Sequence, residues 1–329
     1  VRKLITALKK DSHKWLGEVS ANVPKQAVKD GDTARHNWLT GKSGKPEYKS
    51  RHKSKLSFYV NYESLTKTDI GFQGEKIGEI KTVEPLPKIK KGKKYSNPRI
   101  SYDGKNWFLS VGYEIKQKKV PLTNVSLGID VGIKDLAICS DGAVYKNINK
   151  TKEVRRLKKK LRREQRKLSR KLLANTESYT SKRKPIYKKP LKDMKNIQKQ
   201  NKKIRSIYKK LADIRNNYIH QTTTRIVRTK PSKIVVEHLN IKGMIKNRHL
   251  SKAIIEQKLY EVVRQLKYKC EMYFINFVVA DRWFPSSKLC SKCGNKKVDL
   301  KLTDRIYKCE CCGLVIDRDL NASINLSNY

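Results

Sequence analysis

The sequence predicts an α+β protein built from several domains, and three observations lead to this prediction. The length of 329 residues suggests about two domains of ordinary size. Apolar residues follow a period of two in residues 56–118, which is typical of strands, and the helical period in residues 151–228. Five cysteines lie between residues 290 and 312, which indicates a small metal-stabilised module.

The composition predicts a nucleic acid as the main partner. Lys and Arg number 77 against 30 Asp and Glu, and the formal net charge is +47. Because this excess is spread along the chain, it favours a polyanionic partner. No apolar run reaches the ~20 residues of a membrane-spanning helix, and the first residues lack the apolar core of a signal peptide. We therefore expect an intracellular protein without a membrane role, whose oligomeric state the sequence does not fix.

Residues 1–50 are predicted to form short helices followed by a basic loop. Leu4, Leu8 and Trp15 recur at a spacing that suits helices, and a polar, Gly-containing stretch follows them. The chain begins with Val1 and has no initiator Met, so we expect it to be incomplete at its N-terminus.

Residues 51–120 are predicted to form a module of antiparallel strands. Period-two stretches occur in SFYV, GEIKTV and PRISYDGKNWFLSVGYEI. In the last of these, Asp103 and Gly104 provide the turn of a hairpin. The module also carries basic and aromatic residues, which suit a surface that binds nucleic acid.

Residues 151–228 are predicted to form two long helices folded back on each other as a hairpin. Residues 151–210 hold 25 Lys or Arg against four acids, an imbalance too large for pairs within the helices to neutralise. We therefore predict that the hairpin contacts phosphates of a nucleic acid, through side chains that include Lys158, Arg162 and Arg166.

The elements on either side of the hairpin predict an RNase H-like domain over residues 121–285 and 316–329. They are, in chain order, three short strands in residues 121–150, a strand at KIVVEHL, a helix around residues 251–273, a strand at INFVVAD and a helix that opens at DRDLNASINL. Three strands followed by alternating helices and strands is the order found in that fold.

Three acids stand at distinctive places in this predicted domain. Asp130 lies in its first strand, Glu237 ends a later strand, and Asp319 lies in the first turn of the last helix. Two-metal phosphodiester hydrolysis requires such carboxylates, because they bridge cations that activate water and stabilise the leaving oxygen. Oxygen ligands suit two Mg²⁺ ions, with Mn²⁺ as an alternative. A bound cation would also explain why the chain keeps Glu237 beside a buried strand.

Each acid also has a structural interpretation. An Asp at the start of a helix usually caps it, and a Glu at a strand end often pairs with Lys. The three acids together, in this order, favour the metal site. Asp317 leaves two alternatives open, because either Asp317 caps the helix while Asp319 binds metal, or the two residues exchange these roles.

Residues 286–315 are predicted to form a zinc module. Two C-x2-C pairs separated by fifteen residues predict one structural Zn²⁺ with four thiolate ligands: Cys290, Cys293, Cys309 and Cys312. Cys311 is excluded because a Gly follows Cys293 and Cys312, which lets backbone amides turn toward the sulfurs in two matched turns. Cys139 and Cys270 are expected to be ordinary buried cysteines.

Four stretches resemble motifs of the TnpB family, which insertion-sequence transposons encode and which is related to the type V CRISPR effectors. They are GIDVGIKDLAICSDG, IVVEHLNIKGM, DRWFPSSKLCSKCG and CGLVIDRDLNASINL. The resemblance covers roughly residues 45–326. It implies a RuvC-like nuclease domain with an inserted zinc ribbon, and carried over by motif it supports Asp130, Glu237 and Asp319 as the catalytic acids.

The same resemblance implies the remaining domains and the partners. Residues 1–50 would be a helical recognition lobe and residues 51–120 a β-barrel wedge domain. A guide RNA derived from the transposon end would direct the protein to double-stranded target DNA in a prokaryotic cytoplasm. Two features depart from the family pattern: His238 stands where the family has Asp, and the β segment expected before the helical lobe is absent.

We therefore predict an RNA-guided, Mg-dependent DNA endonuclease. One alternative is a catalytically silent, RNA-guided DNA-binding regulator, which should lack one of the acids, whereas none is missing. The other is a protein that processes transposon ends by strand transfer. That chemistry would require a separate nucleophile, such as a Tyr beside paired His metal ligands, and the sequence shows no such group.

Overall fold

The structure is a computed structural model that describes residues 2–50, 54, 56–90, 92–115, 119–301 and 303–329. The chain divides into two units, Val1–Lys116 and Gln117–Tyr329. Helices and strands occur in both units, so the α+β class predicted from the sequence is confirmed. None of the described helices is both long and apolar enough to cross a membrane.

Polar contacts attach the helices of the first unit to its strands. The helical segments are α1 (Arg2–Lys10), a short 3-10 helix (Lys14–Gly17) and α2 (Asn22–Leu39). No residue of α2 is buried. Instead, Asp30 of α2 accepts hydrogen bonds from the Arg99 guanidinium at 2.9 and 3.0 Å, and Glu75 accepts from Ser20 and Asn22 at 2.6 and 3.1 Å. The predicted helices are therefore present, but charge rather than an apolar stripe holds α2.

Six strands of the first unit form two antiparallel sheets. They are β1 (Leu56–Tyr59), β2 (Thr66–Lys67), β3 (Gly71–Gly74), β4 (Gly78–Lys81), β5 (Ser96–Tyr102) and β6 (Trp107–Gly112). The strand orders are β1-β5-β6 and β2-β3-β4, and buried residues of both sheets, including Phe72 and Ile100, share one core. No strand pairing joins the two sheets within the described residues, so closure into a barrel remains a prediction. Strand β2 has only two residues and β3 has the sequence GFQG, with Gly at both ends, so neither shows a period of two.

The second unit is organised around a five-stranded mixed sheet. Its elements are β7 (Thr123–Asp130), β8 (Asp135–Cys139), β9 (Val144–Lys146), a 3-10 helix (Ile148–Lys150), α3 (Lys152–Ala174), β10 (Thr176–Tyr179), β11 (Pro185–Tyr187), α4 (Lys195–Arg228), β12 (Pro231–Val236), α5 (Ile241–Lys246), α6 (Ser251–Gln257), α7 (Leu259–Tyr273), β13 (Asn276–Val279), β14 (Ile306–Lys308), β15 (Val315–Asp317) and α8 (Arg318–Ser327). The sheet has the order β13-β12-β7-β8-β9. Strands β7, β8 and β9 pair antiparallel, whereas β12 pairs parallel with both β7 and β13.

The main core of this unit lies between the sheet and helices α4 and α7. Buried residues alternate along the two central strands: Leu127, Ile129, Ile234 and Val236. Cys139 and Cys270 are buried in the same core, and burial raises the pKa of each thiol to about 12. Both cysteines are therefore neutral and pack as small apolar residues, as the sequence predicts.

Helices α3 and α4 form the predicted hairpin. Apolar residues from the two helices pack between them: Val154, Leu157, Leu161, Ile204, Ile207 and Leu211. The buried Glu164 carboxylate accepts a hydrogen bond from Gln200 Nε2 at 2.9 Å, so this polar pair is satisfied inside the interface. The connection between the helices contains a small antiparallel pair, β10 and β11, which the polar sequence there does not indicate.

The helix predicted around residues 251–273 is divided into α6 and α7. Lys258, between them, adopts a left-handed conformation with φ of 54°. Contacts with distant residues accompany the break: Lys258 Nζ donates to Asn216 Oδ1 of α4 at 2.6 Å, and Gln257 Nε2 donates to the carbonyl oxygen of Gly132 at 3.2 Å. Because these partners lie far away in the sequence, the local period of residues 251–273 gives no sign of the break.

Candidate functional site

Asp130 and Glu237 lie on the face of the sheet opposite the main core. Ile129 and Val236, which directly precede them, point into the core with α4 and α7. Successive side chains of a strand point to opposite faces, so the two acids lie on the second face. Leu326 of α8 packs on this second face, which places α8 on the same side as both acids.

The two acids are neighbours across parallel strands. Ile129 pairs with Val236 in the register of β7 and β12. Asp130 and Glu237 therefore occupy the next level of adjacent strands, whose backbones lie about 4.8 Å apart. Both stand at the carboxyl ends of their strands, which meet at one edge of the sheet.

Helix α8 brings Asp319 toward the same edge. The helix lies directly against β7, because a Cβ atom at Gly128 would clash with the backbone of α8. Ser126 Oγ also donates to the carbonyl oxygen of Ser327 at 2.7 Å. Since the end of α8 lies beside the early part of β7, its first turn points toward Asp130 at the end of that strand.

Asp317 caps α8, which separates the two alternatives that the sequence leaves open. Asp317 Oδ1 accepts hydrogen bonds from the backbone N–H groups of Asp319 at 2.9 Å and Leu320 at 3.1 Å. These bonds satisfy two of the free N–H groups in the first turn. Asp317 is therefore the cap of this helix and Asp319 is not, while the role of Asp319 as a metal ligand stays a prediction.

Burial and mutual repulsion raise the pKa values of the acids. The pKa of Asp130 rises to about 7, first because its carboxyl group is buried and then because the charges of Glu237 and Asp319 act on it. Burial also raises the pKa of Glu237. The positive charge of Arg318 lowers both pKa values without cancelling the effect of burial. A cation would stabilise the ionised form of such a cluster.

The donor set of the cluster fits hard divalent cations, because carboxylate oxygens are the ligands that Mg²⁺ prefers. The acids are nevertheless not gathered around one point. Among the residues that the structure describes, one group of at least three His, Cys, Asp or Glu side chains has all its ligand atoms within 4.8 Å of one another. That group consists of four cysteines and does not include the three acids.

The second candidate centre is that cysteine cluster. The structure brings together the four residues that the spacing selects: Cys290, Cys293, Cys309 and Cys312. The Sγ atoms of Cys290 and Cys312 lie 3.6 Å apart, as do those of Cys293 and Cys309. Cys311 is exposed and lies outside the cluster. Four sulfur ligands at these distances can hold one metal ion in a tetrahedral site.

A glycine closes the turn around each cysteine pair. Gly294 and Gly313 have φ values of 74° and 71°, a conformation that Gly adopts without steric cost. Their N–H groups donate to the carbonyl oxygens of Cys290 and Cys309 at 2.9 and 3.1 Å. Backbone N–H groups that point at the Cys309 sulfur, chiefly that of Cys312, lower the pKa of Cys309 to about 6. These N–H groups thus favour the thiolate of Cys309, which is the metal-binding form.

Two buried asparagines of α8, the helix that carries Asp319, attach the cysteine module to that helix, and they are not among the residues predicted from the sequence. Asn321 Nδ2 donates to the carbonyl oxygen of Leu289 at 2.6 Å, and Asn321 Oδ1 accepts from Ser291 N at 3.0 Å. Asn325 Nδ2 donates to the carbonyl oxygen of Ser286 at 2.7 Å. The available signal is the pair of amides four residues apart in the last helix, which places them on one face.

The basic residues of the α3–α4 hairpin form two sets. A groove of about 700 Å³ runs between the helices. The cations that line it are Arg156, Lys159, Lys160, Arg163 and Lys210. Four of these recur at helical spacing along one face of α3, so the groove presents a continuous positive stripe.

Lys158 differs from these groove cations because an acid of the protein itself partners its charge, and its predicted contact with phosphate stays a prediction. Its Nζ donates to the Glu256 carboxylate at 2.6 Å, and the Arg215 guanidinium lies 3.5 Å from the same carboxylate. The Lys158 and Glu256 side chains are only 24% and 21% exposed, so the charge of Lys158 is already partnered inside the protein. Arg162 and Arg166 are exposed. The sequence does not indicate this ion pair, because Glu256 is 98 residues away from Lys158.

Two family descriptions match consecutive parts of the chain. Residues 110–248 match the OrfB_IS605 family, described as a probable transposase. Residues 260–326 match the Cas12f1-like TNB domain. The first match contains Asp130 and Glu237, and the second contains Asp319 and the four clustered cysteines.

The chain is also similar to complete proteins. A protein of Streptomyces pristinaespiralis, named as a candidate RNA-guided DNA endonuclease, is 32% identical over 318 residues, which cover 95% of this chain and 72% of the relative. InsQ of Escherichia coli K12, named in the same way, is 26% identical over 338 residues, which cover 95% of this chain and 75% of InsQ. A cryo-EM structure of a Cas12f1–sgRNA–target DNA complex aligns with 89% of this chain and 74% of that chain, at a TM-score of 0.41 and 17% identity.

Measurement of bound zinc in cysteine variants tests whether Cys312, and not its neighbour Cys311, is a metal ligand. We expect Cys312→Ser to lose most of the bound zinc, because it removes one of four ligands, and Cys311→Ser to keep about one zinc per chain. Elemental analysis of the two purified variants beside the unmodified protein measures the difference. Retention of zinc in Cys312→Ser together with its loss in Cys311→Ser would show that the second pair of ligands is Cys309 and Cys311, and not Cys309 and Cys312.

Proposed function

This chain belongs to the TnpB family, and from that premise we propose that it is an RNA-guided DNA endonuclease. The observation that carries the proposal is the cluster of Asp130, Glu237 and Asp319 on one face of the sheet, where burial and repulsion raise the pKa of Asp130 to about 7. An enzyme of this kind would act in the cytoplasm of a prokaryotic cell, where its DNA substrate lies.

The nuclease domain would be the RuvC-like, RNase H-like part of the second unit. The order of the sheet supports this assignment: three antiparallel strands, β9, β8 and β7, continue into two parallel strands, β12 and β13. Asp130 and Glu237 end the two central strands, and α8 crosses the sheet to add Asp319. The acids thus come from three separated parts of the chain onto one surface.

The three carboxylates would hold two Mg²⁺ ions, with Mn²⁺ as a substitute. When bound, such ions supply an activated water and neutralise the charge that develops on the leaving oxygen. In the hydrolysis the water oxygen bonds to phosphorus, the P–O bond to the leaving nucleotide breaks, and the leaving oxygen takes up a proton.

The protein fixes where these carboxylates stand. The register of β7 and β12 holds Asp130 level with Glu237. The hydrogen bonds that Asp317 Oδ1 accepts from the backbone N–H groups of Asp319 and Leu320 order the first turn of α8 and so position Asp319. Arg318 sets a positive charge beside Asp130 and Glu237, which favours ionised carboxylates before any cation binds.

The cysteine cluster would hold one structural Zn²⁺ in a zinc ribbon. Four thiolates fill a tetrahedral site and leave no open position for a substrate or water. Buried amides of α8 bond directly to the backbone of this module. Its proposed task is therefore to hold the helix that carries Asp319 and not to take part in hydrolysis.

The guide RNA and the target DNA would bind through charge and shape. The positive stripe in the α3–α4 groove suits phosphates, which carry little sequence information, so sequence choice would come from base pairing with the guide. In this proposal residues 1–50 are the recognition lobe, residues 51–120 the wedge domain, and the guide derives from the transposon end.

Charge reversal in the groove tests the proposed RNA contact. The groove variant replaces three of its cations with Glu: Arg156, Lys160 and Arg163. The control variant makes the same change in net charge at three exposed lysines of the same unit: Lys242, Lys246 and Lys252. We expect the groove variant to bind RNA at least about tenfold more weakly at 150 mM salt and to lower the salt slope by about 2, since each lost contact with a single strand removes about 0.7. Equal losses in both variants, measured by filter binding, would contradict a specific groove contact.

RNA dependence tests the central proposal. The protein should be purified with its RNA, the RNA sequenced, and cleavage mapped on duplexes that match the original or an altered guide segment. We expect cuts that follow the guide, no site-specific cut without RNA, and loss of cleavage by at least about a thousandfold in Asp130→Ala with DNA binding retained. A cut site that stays fixed when the guide changes would refute RNA guidance, and wild-type cleavage by Asp130→Ala would refute the acid assignment.

A further inference from the structure

Trp283 stands close to the edge of the sheet that carries the acids. Strand β13 runs parallel to β12, and the Ala280 N–H donates to the carbonyl oxygen of Val236 at 2.8 Å, so Ala280 lies level with Glu237. Trp283 follows three residues later and is therefore within about 10 Å of Ala280 even if that segment is extended. Phe284, the next residue, packs into the cluster beneath α8. The segment that carries Trp283 therefore lies between Ala280, level with Glu237, and Phe284, which packs on the same face of the sheet as α8.

The backbone around Trp283 is held rigidly. The Trp283 N–H donates to Asp281 Oδ1 at 2.8 Å, and the Phe284 N–H donates to the Asp281 carbonyl oxygen at 3.1 Å. The Asp281 N–H donates to Tyr329 Oη at 3.1 Å, and the Phe284 and Tyr329 rings meet edge to face at 4.9 Å. These contacts involve backbone atoms and neighbouring side chains, so the turn does not depend on the indole ring of Trp283.

The indole ring itself projects into solvent beside a cation. Trp283 is 80% exposed, although an indole of this size usually gains free energy from burial. The Arg282 guanidinium carbon lies 5.1 Å from the centre of the indole ring. A rigidly held aromatic plane next to a guanidinium group is the combination with which proteins bind single-stranded nucleic acid, because bases stack on the ring and phosphates meet the charge.

We infer that Trp283 stacks on an unpaired base of the DNA strand that is cut, a few nucleotides from the scissile phosphate, while Arg282 contacts the adjoining backbone. This inference rests on the proposed nuclease function. It adds a residue, Trp283, that orients the DNA strand at the three acids. Stacking of this kind accepts any base, because every base has a π face. Trp283 would therefore set the path of the strand and leave its sequence to the guide.

Removal of single bases from the substrate tests the stacking contact. The RNA complexes of the wild type, Trp283→Ala and Trp283→Phe would each cut a set of target duplexes that lack one base at successive positions within about five nucleotides of the cut. Tyr260→Ala is the matched control, since Tyr260 is an exposed aromatic residue (67%) of the same unit, on α7. Target binding is measured alongside the single-turnover cleavage rate, and zinc content and the melting temperature report folding.

We expect Trp283→Ala to cut the intact target about 10- to 100-fold more slowly, Trp283→Phe to retain most of the rate, and Tyr260→Ala to match the wild type. At one or two positions, a missing base should slow the wild type by about the same factor as the Trp283→Ala substitution does. Trp283→Ala itself should cut these targets no more slowly than it cuts the intact target. A purely structural role would slow Trp283→Ala relative to the wild type by the same factor on every substrate, including those that lack the critical bases; that result would overturn the inference, as would an unchanged rate. A wild-type complex that cuts no target at all would instead refute the proposed function, and the inference with it.

Discussion

The contact between helix α8 and strand β7 at Gly128 is the constraint on which the arrangement of the candidate site depends. Any side chain at Gly128 would collide with the backbone of α8, so only Gly allows the helix to lie this close to the sheet. The contact sets the direction of α8 and thereby the place of Asp319 relative to Asp130. Because Asn321 and Asn325 of the same helix bond to the cysteine module, displacement of α8 would disturb both candidate metal centres together.

The charged residues of this chain form two opposite arrangements, an exposed basic surface and a local cluster of acids. Over most of the surface, cations are exposed and face solvent, as in the α3–α4 groove, where a nucleic acid would lower their mutual repulsion. At the edge of the sheet the charges are instead mainly negative, because the half-buried Asp130 lies within reach of three other acids: Glu237, Asp319 and Asp317. Such a cluster costs free energy in the absence of a counter-ion. A nuclease needs both arrangements, since a basic surface holds the polyanion while a local acidic cluster holds the cations that act on it.

The sequence predicts the parts of this protein that depend on local order. Cysteine spacing selects the clustered cysteines, and strand periods followed by an acid locate Asp130 and Glu237, because both signals lie within a few residues. It does not predict contacts that join distant segments. In the sequence, nothing distinguishes Lys158 from the other cations of α3, because its partner Glu256 reaches it only in the folded structure. The break in the helix at Lys258 and the amide contacts of α8 likewise depend on partners that only the tertiary structure supplies.

The most direct test of the acid cluster as a cation site is the pH dependence of stability in the wild type and Asp130→Asn, measured by chemical denaturation with zinc retained and no added Mg²⁺. Folding raises the pKa of Asp130 from 3.8 to about 7, so between these values the folded state keeps a proton that the unfolded state releases. The wild type should therefore lose up to roughly 4 kcal/mol of stability between about pH 4 and pH 7. Asp130→Asn should lack this loss, and Mg²⁺ at pH 8 should stabilise the wild type much more than the variant. Parallel pH profiles, with equal stabilisation of both proteins by Mg²⁺, would contradict a cation site at Asp130.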